Sequence, residues 1–158
     1  MNDIEQKILS DYAVALAKWQ IELYRGRNQR MDNPIQRYFN STPTRNTFAR
    51  MMFLANQDDK LHYTKSVIAR ELFITRQAAS LMVDDCLAEG WIEAYCQDKT
   101  TCYKATQALA EKQMDYTIFH IDTLTRNPVT DLYMSLRHYQ RAQDIKASSD
   151  FTPKRVAI

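Results

Sequence analysis

Glycine is the scarce residue in this chain: Gly26 and Gly90 are the only two among 158 residues. Phosphate-cradling loops and dinucleotide-binding turns need several backbone positions free of a Cβ, so both are excluded. A barrel or sandwich with many tight turns is disfavoured for the same reason. The chain must spend its length on helices. Residues 3–24 place Ile4, Ile8, Tyr12, Leu16, Trp19 and Leu23 at three- and four-residue steps, which predicts one long amphipathic helix. Its apolar stripe needs a cover, from its own domain or from a second subunit.

Residues 25–43 are rich in Arg, Asn and Pro and read as a polar, turn-rich connection. Between 25 and 50 six arginines face one acid, Asp32, so the positive charge of a chain that is only +2 overall is localised there. A helix is expected from Thr44 or Asn46 to about Asn56, then a compact block. Leu61-His62-Tyr63 reads as a short extended segment. Thr64 or Ser66 caps a short helix holding Val67, Ile68, Ala69, Leu72 and Phe73. After the tight turn Ile74-Thr75, the Thr75 hydroxyl can accept from the first amides of a helix running from Arg76 to Glu89. Ala79, Val83, Cys86 and Leu87 fall on its inner face, and Gly90 ends it. Aromatic segments on either side of the polar stretch 97–101 read as a β-hairpin. Thr106 then caps a helix over 107–125. Pro128 opens a last one, to about Lys146, and a flexible tail is expected over 147–158.

This order specifies a mainly α fold: a winged helix-turn-helix with a two-stranded β-hairpin wing and long N- and C-terminal helices. The expected boundaries are 1–43, 44–106, 107–146 and 147–158. Over about residues 48–110 the chain resembles the multiple-antibiotic-resistance-regulator (MarR) type of winged-helix transcription factors. The resemblance is carried by Ile68-Ala69-Arg70-Glu71-Leu72, Ile74-Thr75-Arg76-Gln77-Ala78-Ala79-Ser80, Leu87-Ala88-Glu89-Gly90-Trp91-Ile92, and a wing of Asp98-Lys99 followed by Tyr103-Lys104-Ala105-Thr106. It implies a transcriptional regulator that binds double-stranded DNA at a pseudo-palindromic operator, as a homodimer held by the long terminal helices. It makes Thr75, Arg76, Gln77 and Ser80 recognition-helix contacts, Lys99 a wing contact and Lys65 a phosphate contact. It also implies a small aromatic effector, bound near Tyr116, Phe119, Tyr133, Tyr139, Trp19 and Tyr24, although aromatics at helical spacing also serve as core.

The side-chain chemistry fits. Arg76 can pair bidentately with guanine and Gln77 with adenine, while Thr75 and Ser80 suit phosphates or either base. The plainer alternative is a solvated helix face with a good cap. Residues 51–106 hold six basic and eight acidic side chains. Phosphate neutralisation dominates non-specific affinity, so a net-negative head needs charge from elsewhere, and Arg25, Arg27 and Arg30 are the strongest source. The other reading is a winged helix kept for protein contacts without operator specificity.

No catalytic constellation is present. His62, His120 and His138 are isolated from any metal-ligand spacing, so no metal and no cofactor is expected. Cys96 and Cys102 bracket the hairpin loop and would face each other in a symmetric register. In a reducing cytoplasm they read as plain strand residues, and Cys86 as packing. No apolar run approaches the ~18 residues of a membrane span. The polar, acidic N-terminus is unlike a signal peptide, so a cytoplasmic protein is expected.

Overall fold

A computed structural model of the chain describes residues 3–149. The described residues form α1 (Asp3–Gln29), α2 (Pro34–Asn40), α3 (Pro43–Gln57), α4 (Lys65–Glu71), α5 (Arg76–Ala88), β1 (Ile92–Gln97), β2 (Thr100–Ala105), α6 (Gln107–Thr125) and α7 (Val129–Ser149). This is the expected mainly α winged helix-turn-helix. It divides into two compact units, one of Arg25–Phe119 and one formed by residues 3–24 with 120–149.

The segment expected to be a polar connection is instead mostly helical. α1 runs on to Gln29 rather than ending near residue 24. Gly26 breaks no helix here; it permits a close approach. A Cβ at this position would run into the Phe119 ring of α6. Pro34 and Pro43, which read as turn signals, each open a helix, where the missing N–H costs nothing. The Asn33 carboxamide accepts from the Ile35 amide at 2.9 Å to cap α2. Thr42, rather than Thr44 or Asn46, caps α3 by accepting from the Arg45 amide at 3.1 Å.

The head is built on one core. Phe48 and Met52 of α3, Ile68 of α4, and Val83 and Cys86 of α5 are fully buried. Phe39, Ile92, Tyr103 and Ala105 join them. Of the two candidates for α4, Thr64 rather than Ser66 is the cap, accepting from the Val67 amide at 3.2 Å, and Thr75 caps α5 as expected, accepting from the Ala78 amide at 3.1 Å. Gly90, with φ +70, turns the chain after α5, and the Trp91 amide closes back on the Cys86 carbonyl at 3.0 Å. The end of α4 makes the same kind of turn on Phe73, at φ +54. Its ring is 96% exposed, so the core gains nothing from a side chain at a position glycine usually holds.

In the hairpin, Ile92 pairs with Ala105 and Gln97 with Thr100. Tyr63 adds a single bridge beside Tyr103, whose amide donates to its carbonyl at 3.0 Å. The loop is two residues, not the five expected, because Gln97, Thr100 and Thr101 are drawn into the ladder. Asp98 and Lys99 both take positive φ, 48° and 63°, the pattern of a type I′ turn, whose twist matches the strands. This register corrects the cysteine expectation. Cys96 lies opposite Thr101 and Cys102 opposite Tyr95. Successive residues alternate faces, so Cys96 is exposed and Cys102 buried. Thr106 does not cap α6; its hydroxyl turns back to the Gly90 and Trp91 carbonyls at 2.8 and 2.9 Å, closing the hairpin base.

In the second unit the Trp19 indole donates to the buried Thr123 hydroxyl at 3.2 Å, and Thr123 donates to the His120 carbonyl at 2.9 Å. Asn127 donates to Glu22 at 2.9 Å, and Arg126 pairs with the same carboxylate at 3.3 Å. Tyr12 packs near Tyr133, ring centres 6.4 Å apart. Helix α7 continues to Ser149, past the expected end at Lys146. The rest of the expected flexible tail, 150–158, lies outside the described residues. Among the described residues no helix is long and apolar enough to cross a membrane.

Replacing Gly26 by Ala gains about 1 kcal/mol of helix propensity but forces the Phe119 ring away. The variant is expected to lose about 1–3 kcal/mol net, measured by urea unfolding.

Candidate nucleic-acid interface

Burial of Ala79, Met82, Val83 and Cys86 fixes the rotation of α5 about its axis. The opposite face is therefore set outward. Arg76, Gln77, Ala78 and Leu81 are exposed and Ser80 is half-buried. Among the described residues, neither the Arg76 guanidinium nor the Gln77 carboxamide is engaged by a protein partner, so their donors are available. Thr75 differs: its hydroxyl oxygen already accepts from the Ala78 amide at 3.1 Å.

The two lysines are held differently. Lys99 sits exposed at the tip of the type I′ turn. Lys65, at the start of α4, is tied to Asp84 of α5 at 2.7 Å, so in the free protein its charge is already answered. Asp85 accepts from the Tyr38 hydroxyl at 3.3 Å. Burial, followed by the neighbouring Cys86 sulfur, pushes the Tyr38 hydroxyl far above the ordinary phenol range. The Cys86 thiol is likewise pushed up to about 12, mainly by burial, against the Tyr38 hydrogen bond that opposes the shift. Burial also raises Cys102.

Arg25, Arg27 and Arg30 do not form one surface. Arg25 is exposed. Arg27 donates to the Tyr116 hydroxyl at 2.9 Å. Arg30 lies 4.2 Å from the centre of the Phe119 ring and donates to the Asp115 carbonyl at 3.3 Å. Arg27 and Arg30 border a cavity between α1, α2, α3 and α6, with Phe39, Arg50, Lys112 and Tyr116. Its free space is only about 40 Å³, room for two or three waters; the Arg27 and Arg50 guanidinium groups lie 5.6 and 5.9 Å from the Tyr116 ring centre. Lys112 is paired with Asp115 at 2.7 Å. No carboxylate lines the cavity, and the buried Arg27 Nε has no hydrogen-bond partner among the described residues.

Of the six aromatics expected at an effector cleft, Tyr116 lines this cavity. Trp19 is instead bound to Thr123, and Tyr133 lies by Tyr12. Sequence reading did not assign Arg50 and Lys112 to a site. The signal available was spacing: Asn46 with Arg50 and Lys112 with Tyr116 are i,i+4 pairs on facing helices.

This arrangement is the winged helix-turn-helix fold of MarR-type regulators. Among solved structures the chain is similar to MepR, a transcription regulator of the Staphylococcus aureus multidrug efflux pump MepA: 15% identity, 89% of this chain and 98% of that one covered, TM-score 0.53. S. aureus MepR bound to ethidium bromide matches with 16% identity over 89% and 96% of the two chains, TM-score 0.57. No protein-family model and no curated protein matches the sequence.

Two outcomes follow from the local geometry. Lys99→Gly relieves a left-handed non-glycine residue and should stabilise the fold by about 1 kcal/mol in urea unfolding. The thiolate is the reactive form of cysteine, and Cys86 and Cys102 are buried with raised pKa values. Native protein at pH 8 should therefore show one fast-reacting thiol, Cys96, and three after denaturation, measured with Ellman's reagent.

Proposed function

We propose that this chain is a DNA-binding transcriptional regulator that acts as a homodimer on a pseudo-palindromic operator. The observation that carries the reading is the outward face of α5, where the Arg76 and Gln77 side chains have no protein partner among the described residues; the exposed turn residue Lys99 adds a second cation to the same head. A helix of this kind reads base edges with its N-terminal residues. Exposed Ile4, Val14 and Ile21 on α1, with Met134 and Ile145 on α7, support a second copy as the cover for the long helices. Dimer symmetry would then set two recognition helices one DNA turn apart. Neighbours that are transcription regulators favour DNA over a protein-only role. Lys65 would reach a phosphate only by exchanging Asp84 for it, and Arg25 is the cation of the N-terminal trio left for DNA.

The cavity supports a ligand response. MepR has been solved with ethidium bromide, whose organic ion is a cation. Here three arginines, an unpartnered Arg27 Nε and two aromatic rings favour an aromatic anion instead. Such a ligand would part Arg27 and Arg50 and shift the population between conformers.

The reading is tested by fluorescence anisotropy on a duplex selected from a randomised library. Arg76→Ala and Gln77→Ala should each cost about 1–3 kcal/mol on the selected duplex and much less on random DNA. Equal losses on both would make them phosphate contacts, and no binding by the unaltered protein at low salt would leave a protein-interaction module.

A further inference from the structure

The first two turns of α5 carry an apolar residue that the fold does not use. Leu81 is 60% exposed, while Met82 and Val83 beside it are buried and complete the core. It lies four residues after Gln77, on the same stripe of the helix. Ala78, exposed and small, lies one turn before it and lets the helix surface come close to whatever it faces. Beyond Leu81 the surface changes character. Asp84 is held by Lys65 at 2.7 Å and Asp85 by Tyr38 at 3.3 Å, so the later turns present carboxylates already committed to protein partners, which offer no hydrogen-bond donor to a phosphate. The reading stretch is thus confined to 76–81, with Leu81 at its end.

We infer that Leu81 is a specificity-determining residue that reads the C5-methyl group of a thymine. The inference rests on the DNA-binding reading and deepens it. Only the thymine methyl offers an apolar feature on the major-groove edge of a base pair. Four residues of helix span about 6 Å, close to two base-pair steps of about 3.4 Å each. With the helix lying along the groove, Gln77 on an adenine would place Leu81 one or two base pairs away, where a thymine presents its methyl to the side chain. The head selects an A·T-containing half-site, with a polar contact at one end and a methyl contact at the other.

The test uses the full-length protein and the duplex it selects from a randomised library, with each half-site thymine replaced in turn by deoxyuridine, which lacks only the methyl. At one thymine the unaltered protein should lose about fourfold in affinity, the worth of one buried methyl. Leu81→Ala should weaken binding to the thymine duplex and show no uracil penalty at that position. Leu81→Met should keep the penalty, and the exposed site should leave Tm nearly unchanged in both variants. A uracil penalty of equal size in the unaltered protein and Leu81→Ala at every position overturns the inference, as does a selected half-site without thymine near its centre. In either case selective binding persists, so the DNA-binding reading stands. If no duplex is enriched, that reading fails and takes this inference with it.

Discussion

Everything on the reading face depends on the burial of its opposite side. Ala79, Val83 and Cys86 show no exposure, and Met82 little. Rotating α5 by a single residue position, about 100°, would bring Asp84 or Asp85 into a core that holds Phe48, Met52 and Ile68. The cost of burying an unpaired carboxylate forbids it. Packing thus fixes which residues point outward. The threonine cap at Thr75 fixes where the helix begins, and Gly90 where it ends. The hairpin is registered onto the same core through Ile92, Tyr103 and Ala105.

Charge in the head is arranged as well as counted. Acids outnumber bases over residues 51–106, yet several of the acids are already answered. Asp84 is taken by Lys65, Glu71 by Arg70 and Glu93 by Lys104. Surface pairs like these add little stability, but they leave Arg76 and Lys99 as cations without a protein partner among the described residues. These pairs remove one charge of each sign, so the net balance of the head is unchanged; what composition does not give is position, and it misplaces the arginines. Arg27 and Arg30, grouped with Arg25 in the sequence, spend their guanidinium groups on the aromatic rings of α6.

The head was largely legible in the sequence because its signals are local. The two threonine caps, Gly90 and the inner-face spacing of α5 each depend on neighbours within a turn, and each appears in the structure where it was expected. The stretch 25–43 was not legible, because the same residues serve opposite ends. Gly26 looks like a helix breaker until Phe119, far away in sequence, shows why a side chain is missing there. Proline after Asn33 and Thr42 reads as a turn or as a helix start, and only the capping hydrogen bonds decide. The hairpin loop is shorter than its polar stretch suggests because Gln97, Thr100 and Thr101 are polar residues paired within a ladder. The arginine cavity needs four helices to converge, so helical periodicity could suggest its members but not bring them together.

The chain contains two tryptophans, and the fold puts one in each compact unit. Trp19 lies 5.0 Å from His120, edge to face, and donates to the buried Thr123. Trp91 packs against Tyr38 and Phe39, 5.2 and 5.6 Å away, at the junction of α5 and the hairpin. The protein therefore carries a separate intrinsic fluorophore for each unit. Trp19 emission reports on the terminal helices alone, and Trp91 emission on the head. Where the two signals lose their folded values at different denaturant concentrations, the units melt separately and a single unfolding free energy does not describe the molecule.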